Sequence, residues 1–220
     1  MFGASRHNGL VKSGTGISFS FVQSANSTTA SVTVPVQVNN GDIVFLIDRV
    51  RTGTTTIPTA VTPAGYTNIY NFGAAGATFG QRYMISYKIS SGSEGSVTGM
   101  SVTGGAGTKV ILIYRPSASP RAVTYTASGA ETTDATPANQ TLSLGSVVGP
   151  YIGVSHYAST SGTISVTPTS GYTRSIAPNA TNSYSIWESI NSTVNFSNQT
   201  ITMVDNGSNI MVSGYIQLIA

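Results

Sequence analysis

The feature that most constrains this chain is an alternation of apolar with hydroxyl-bearing or polar residues at a period of two. Ile17, Phe19 and Phe21 alternate with Ser18 and Ser20, and Val32, Val34, Val36 and Val38 alternate with Ser31, Thr33, Pro35 and Gln37. Successive side chains on a strand point to opposite faces, so each run has one core-facing and one solvent-facing side. Tyr83, Ile85, Tyr87 and Ile89 repeat the pattern. No window keeps apolar residues at helical spacing for three turns. Asp42–Val50 and Lys109–Tyr114 are instead nearly continuous apolar runs, which predicts central strands covered on both faces. Turn clusters at Asn39-Asn40-Gly41, Ser90–Ser93, Gly104-Gly105 and Asp205-Asn206-Gly207 punctuate these runs. Short strands with a turn every roughly 8–12 residues predict an all-β sandwich or barrel. Pro35 donates no N–H, which places its strand at a sheet edge.

An internal repeat sets the domain organisation. Thr62-Pro63-Ala64-Gly65-Tyr66-Thr67 returns as Thr167-Pro168-Thr169-Ser170-Gly171-Tyr172-Thr173, and its flanks return in the same order. Gly41–Ile47 matches Gly149–Ser155, Tyr83–Ile89 matches Tyr184–Ile190, and Val110–Tyr114 matches Met211–Tyr215. The strand near Val32–Val38 matches Thr141–Leu144. The expectation is two tandem antiparallel β-sandwiches of the jelly-roll or immunoglobulin-like kind, from an internal duplication. They span residues 15–116 and 117–220 and are preceded by an extended N-terminal arm over residues 1–14. The Pro/Ser stretch Pro116–Pro120 reads as a semi-rigid linker between them. Val44, Leu46, Ile111 and Ile113 are expected in the middle of the first sandwich. Superposed halves should place Gly65 on Gly171 and Tyr114 on Tyr215, and one sandwich built jointly from both halves would argue against duplication.

Composition narrows the chemistry. Ser and Thr number 61 of 220 residues, whereas charged residues are 8%, against a globular average of about 25%. With no cysteine, disulfides, thiolate metal sites and cysteine nucleophiles are excluded. The net charge of +3 is spread singly from Arg6 to Arg174, unlike the clustered footprint of a nucleic-acid binder. No run of 18 apolar residues is present to cross a membrane, and Met1–Leu10 lacks the apolar centre of a leader. His7 and His156 stand apart from any acid at triad spacing, and Ser155 and His156 are strand neighbours that face opposite ways. Of seven carboxylates, Glu94, Glu131, Asp134 and Asp205 fall in or beside turns. Asp42 completes the seven, and Asp48 is expected to pair with a nearby Arg. Trp187-Glu188 has the chemistry to grip a sugar, although Trp187 reads first as core filler. Asp205–Asn209 has one acid where calcium wants several, and reads as a hairpin turn. The expectation is a chain without catalytic residues, cofactor or metal.

The order G-D-I-V-F-L-I, T-P-A-G-Y-T, Y-M-I-S-Y-K-I, S-E-G-S-V-T and K-V-I-L-I-Y-R over residues 41–115 resembles a β-sandwich module of tailed-bacteriophage structural proteins. These are head decoration (cement) proteins and tail or fibre components. The likeness is close over 41–115 and loose over 149–220, where Ser-Glu-Gly-Ser gives way to Asn-Ser-Thr-Val. It implies a non-enzymatic virion protein and does not by itself separate head from tail; the expectation is a decoration protein on the outer surface of the phage head, stabilising the shell. The alternative is a tail or fibre component that binds host-surface glycans. The implied partners are the major capsid protein and its own copies in a closed homotrimer, without nucleic acid or membrane. The arm, with Phe2, Arg6, His7, Leu10 and Lys12, is the candidate capsid contact.

Overall fold

The computed structural model describes residues 17–76, 78–100, 106–127, 133–134, 140–148, 151–159, 165–168, 174–176, 184–189, 195–204 and 209–219. Every regular element among them is a strand. In chain order these are β1 (Phe19–Ser27), β2 (Ser31–Thr33), β3 (Asn40–Arg51), β4 (Thr67–Ala75), β5 (Gly80–Ser91), β6 (Ser96–Thr98), β7 (Ala106–Pro116) and β8 (Ala122–Ala127). They continue as β9 (Thr133–Asp134), β10 (Gln140–Val148), β11 (Tyr151–Ser159), β12 (Ser165–Pro168), β13 (Arg174–Ile176), β14 (Tyr184–Ser189), β15 (Asn195–Val204) and β16 (Asn209–Ile219). The arm expected over residues 1–14, with Phe2, Arg6, His7, Leu10 and Lys12, lies outside the described residues.

Among the described residues all pairings are antiparallel. One large sheet has the order β1-β7-β3-β5-β4, and the other has the order β13-β14-β11-β16-β8 with β9 alongside β16. Two smaller sheets are β2-β6 and β10-β15-β12. The two continuous apolar runs became β3 and β7, paired side by side inside the first large sheet. Because their side chains alternate, each strand feeds two cores. Val44, Leu46, Ile111 and Ile113 pack against Val32 of β2, Val97 of β6 and Val34 and Val38 of the segment after β2, and none of the first four is more than 1% exposed. Ile43, Phe45, Leu112 and Tyr114 face the other way, against Val123, Ile152, Val154, Ile216 and Leu218 of the second large sheet. The first half therefore has a two-layer core of its own, but the larger core is built jointly by the large sheets of both halves, the arrangement that argues against two independent duplicated sandwiches. Tyr70 of β4 and Tyr125 of β8 meet across this stack with ring centroids 4.5 Å apart.

Three details differ from the reading of the sequence. The alternating run at Val32–Val38 is not one strand. The Val34 N–H donates to the Gly95 carbonyl at 3.3 Å, Pro35 then has no N–H to continue, and Val36 is 95% exposed. Residues 117–121 are a tethered connection rather than a spacer: the Ser117 N–H donates to Ser18 O and the Arg121 N–H to Ile219 O, each at 2.8 Å. Tyr114 and Tyr215 also do not occupy equivalent places. Tyr114 lies opposite Ile43 and faces the stack, whereas Tyr215 lies opposite Gly153, next to stack-facing Ile216 and so on the reverse face. A slip of one residue exchanges the faces of a strand. The register that keeps faces aligned sets Ile43 and Tyr114 against Ile152 and Ile216. Gly171 lies outside the described residues.

Candidate functional site

The two motifs that stand out in the first half, Thr62–Thr67 and Ser93–Thr98, are separated by β4 and β5 in sequence and meet in space. Pro63–Tyr66 is a tight turn in which the Tyr66 N–H donates to Pro63 O at 3.1 Å. Gly65 at its third position has φ 79°, a conformation that costs a glycine little. The turn positions Pro63, Ala64 and Tyr66 along one side of an open groove of about 440 Å³, facing Lys88 and the Ser93–Thr98 segment. Lys88 Nζ donates to Glu94 Oε2 at 2.7 Å. Burial pushes the Glu94 carboxyl up, but Lys88, Ser90 and the Ser91 amide outweigh it, and the group lies below its ordinary range. The Tyr66 hydroxyl is buried without a hydrogen-bond partner, and burial together with the Glu94 charge pushes its pKa up. Tyr66 is thus a neutral phenol whose hydroxyl is turned away from solvent, so it lines the groove with its ring. Since Lys88 and Glu94 neutralise each other, the groove offers the polar groups of Ser93, Ser96 and Thr98 and an aromatic ring more than net charge. That suits a neutral polar ligand.

The other carboxylates with described side chains are engaged elsewhere. Asp42 accepts from Arg115 Nε at 2.8 Å and Nη2 at 2.9 Å, and from the Asn39 amide at 2.8 Å. Burial alone raises its pKa, yet the Arg115 fork prevails and holds it below the ordinary range. Gly41, at φ 87°, permits the bulge at the start of β3 that brings Asp42 into this clamp. Asp48 does not pair with an Arg. Its partner is Lys109, with Nζ 3.2 Å from Oδ1. The neighbouring Arg49 is on the opposite face of β3, so strand alternation prevents the local pairing that sequence proximity suggests.

The remaining candidates are placed by their ladders. Ser155 stands opposite Ser185 and Ser213, and His156 opposite Tyr184 and Val212. Trp187 is opposite Gly153 and Ser175, and Glu188 opposite Ile152 and Arg174. Asp134 pairs with Asn209. Glu131 and Asp205 lie outside the described residues. Among the described residues no three His, Asp or Glu side chains gather as a metal would require, and no helix is long and apolar enough to cross a membrane. The reading of the sequence missed Lys109 and Lys88 as partners. For Lys88 a signal existed, because Glu94 follows it across the Ser90–Ser93 turn. No family model, no curated protein and no solved structure matches this chain.

Proposed function

We propose that this chain is a non-enzymatic structural protein of a tailed-bacteriophage particle, a decoration protein that cements the outer surface of the head. Each half contributes one large sheet to a shared core, and these two sheets are read as products of a duplication. The virion role rests on the resemblance of residues 41–115, and the duplication within it is supported by the strand order. Replacing β1, β7, β3, β5 and β4 by β8, β16, β11, β14 and β13 converts one large sheet into the other. The registers support the same match, since Phe19 opposite Pro116 corresponds to Val123 opposite Leu218, with Phe19 and Val123 both in the stack. A homotrimer of such chains presents six similar units, which suits threefold or quasi-sixfold positions on a shell of major capsid protein. A cysteine-free interior also suits a protein whose survival is governed by its unfolding rate.

The test removes residues 1–13. The shortened protein should lose binding to particles, while its thermal unfolding stays nearly unchanged. Wild-type occupancy by the shortened protein would show that Phe2, Arg6, His7, Leu10 and Lys12 are not the anchor. A cryo-EM map of the native particle decides location, since decoration requires many copies on the head. The groove beside Tyr66 favours a second reading, a tail or fibre component holding a host-surface glycan. A monomer in light scattering that binds glycan and is missing from the capsid would establish that reading instead.

A further inference from the structure

Asp48 and Lys109 stand directly opposite each other on β3 and β7, with side chains 2% and 1% exposed. They occupy the face of the sheet that carries Leu46 and Ile111 on one side, and Val50, Met84 and Met100 on the other. Nζ is 3.2 Å from Oδ1. The Met100 backbone closes over the pair: its N–H donates to Asp48 Oδ2 at 2.6 Å, and its carbonyl accepts from Lys109 Nζ at 2.6 Å. Gly99 completes the lid, because a Cβ there would overlap Asp48 Oδ2. An amine and a carboxyl thus touch in a dry, apolar compartment. As an ion pair they recover little in such a place, where desolvation offsets much of their attraction.

We propose that the folded protein joins Asp48 to Lys109 through an intramolecular isopeptide bond. A proton passes from Nζ to Oδ1, leaving a neutral amine beside a carboxylic acid. Burial raises the Asp48 pKa against the pull of Lys109 and so favours its protonated carboxyl. The Nζ lone pair then attacks Cγ, while the Met100 carbonyl orients the amine through its remaining N–H. Charge developing on Oδ2 is held by the Met100 N–H already bonded to it. The Cγ–Oδ1 bond breaks, and Oδ1 departs as water with the proton it received and a second from nitrogen. One amide forms, one water leaves, and nothing is oxidised or reduced. The fold supplies the step by holding both groups in contact, which replaces a bimolecular encounter.

Intact mass spectrometry of the purified full-length protein tests this. The mass should fall about 18 Da, one water, below that of the sequence. Trypsin should release the peptide 13–49 joined to the peptide 89–121, because a modified Lys109 resists cleavage. Asp48→Asn should expel ammonia instead and reach the same final mass as the parent, and Lys109→Arg should show the full mass of its own sequence. A parent protein at full mass, with a free tryptic peptide ending at Lys109, would overturn the proposal. The parent measurement decides alone, whatever the folding of the variants.

Discussion

Ile111 and Leu112 are adjacent on β7, both fully buried, and they enter different cores. Truncating each to Ala separates the two layers of packing. Either change removes three carbons, worth roughly 2.4 kcal/mol of transfer free energy at about 0.8 kcal/mol each. The cavity left behind adds to this, so each variant should lose about 2–5 kcal/mol. With a urea dependence of about 3 kcal/mol per molar, the unfolding midpoint should fall by about 1 M. Val36→Ala, at a site 95% exposed, serves as the control and should change stability by less than about 0.5 kcal/mol. The two outcomes are independent. An Ile111→Ala loss below about 0.5 kcal/mol would refute the packing of the β2-β6 layer on the first large sheet. The same small loss for Leu112→Ala would refute the stacking of the two large sheets.

Gly99→Ala places a methyl against Asp48 Oδ2 and Lys109 Cε. It should cost about 1–3 kcal/mol in thermal or urea unfolding, and a neutral result would mean that the Gly99–Met100 segment does not close over the pair. Arg115→Met removes the cation that holds Asp42 below its ordinary value of 3.8. A depressed carboxyl stabilises the fold above its unfolded pKa, and that contribution is lost as pH falls through the folded value. Without Arg115, burial dominates and the midpoint of acid unfolding should move to higher pH; an unchanged midpoint would show that the clamp carries no stability. Tyr66→Phe removes a buried hydroxyl that has no partner, so stability should hold or rise by up to about 1 kcal/mol. A clear loss would mean that the hydroxyl is bonded in solution.

The strands of the first half were legible because alternation states which residues share a face, and the unbroken runs at Asp42–Val50 and Lys109–Tyr114 state that two strands have no solvent face. Burial of Val44, Leu46, Ile111 and Ile113 follows from that pattern alone. The alternation places Pro35 within a strand at a sheet edge. It instead follows the end of β2 and breaks the run, because without an N–H it cannot continue the pairing that Val34 makes. The groove was half legible: both of its motifs are visible, but their meeting depends on the β4-β5 hairpin carrying the chain out and back between them.

What the sequence determined by itself is the strand content, the two-faced centre of the first sheet and the recurrence of its motifs. Only the tertiary structure decided what each face meets. An alternating pattern marks a face as apolar and is silent on whether it will lie against the chain's own small sheet or against its second half. Register is undetermined for the same reason. Motif matching set Tyr114 on Tyr215, and only the pairing with Ile43 and Gly153 showed that the two tyrosines face opposite ways. Asp48 makes the point most sharply. Its sequence neighbour Arg49 is held on the other side of the strand, whereas Lys109, far along the chain, is delivered to it by the β3-β7 ladder, because backbone hydrogen bonding fixes cross-strand neighbours that no local pattern encodes.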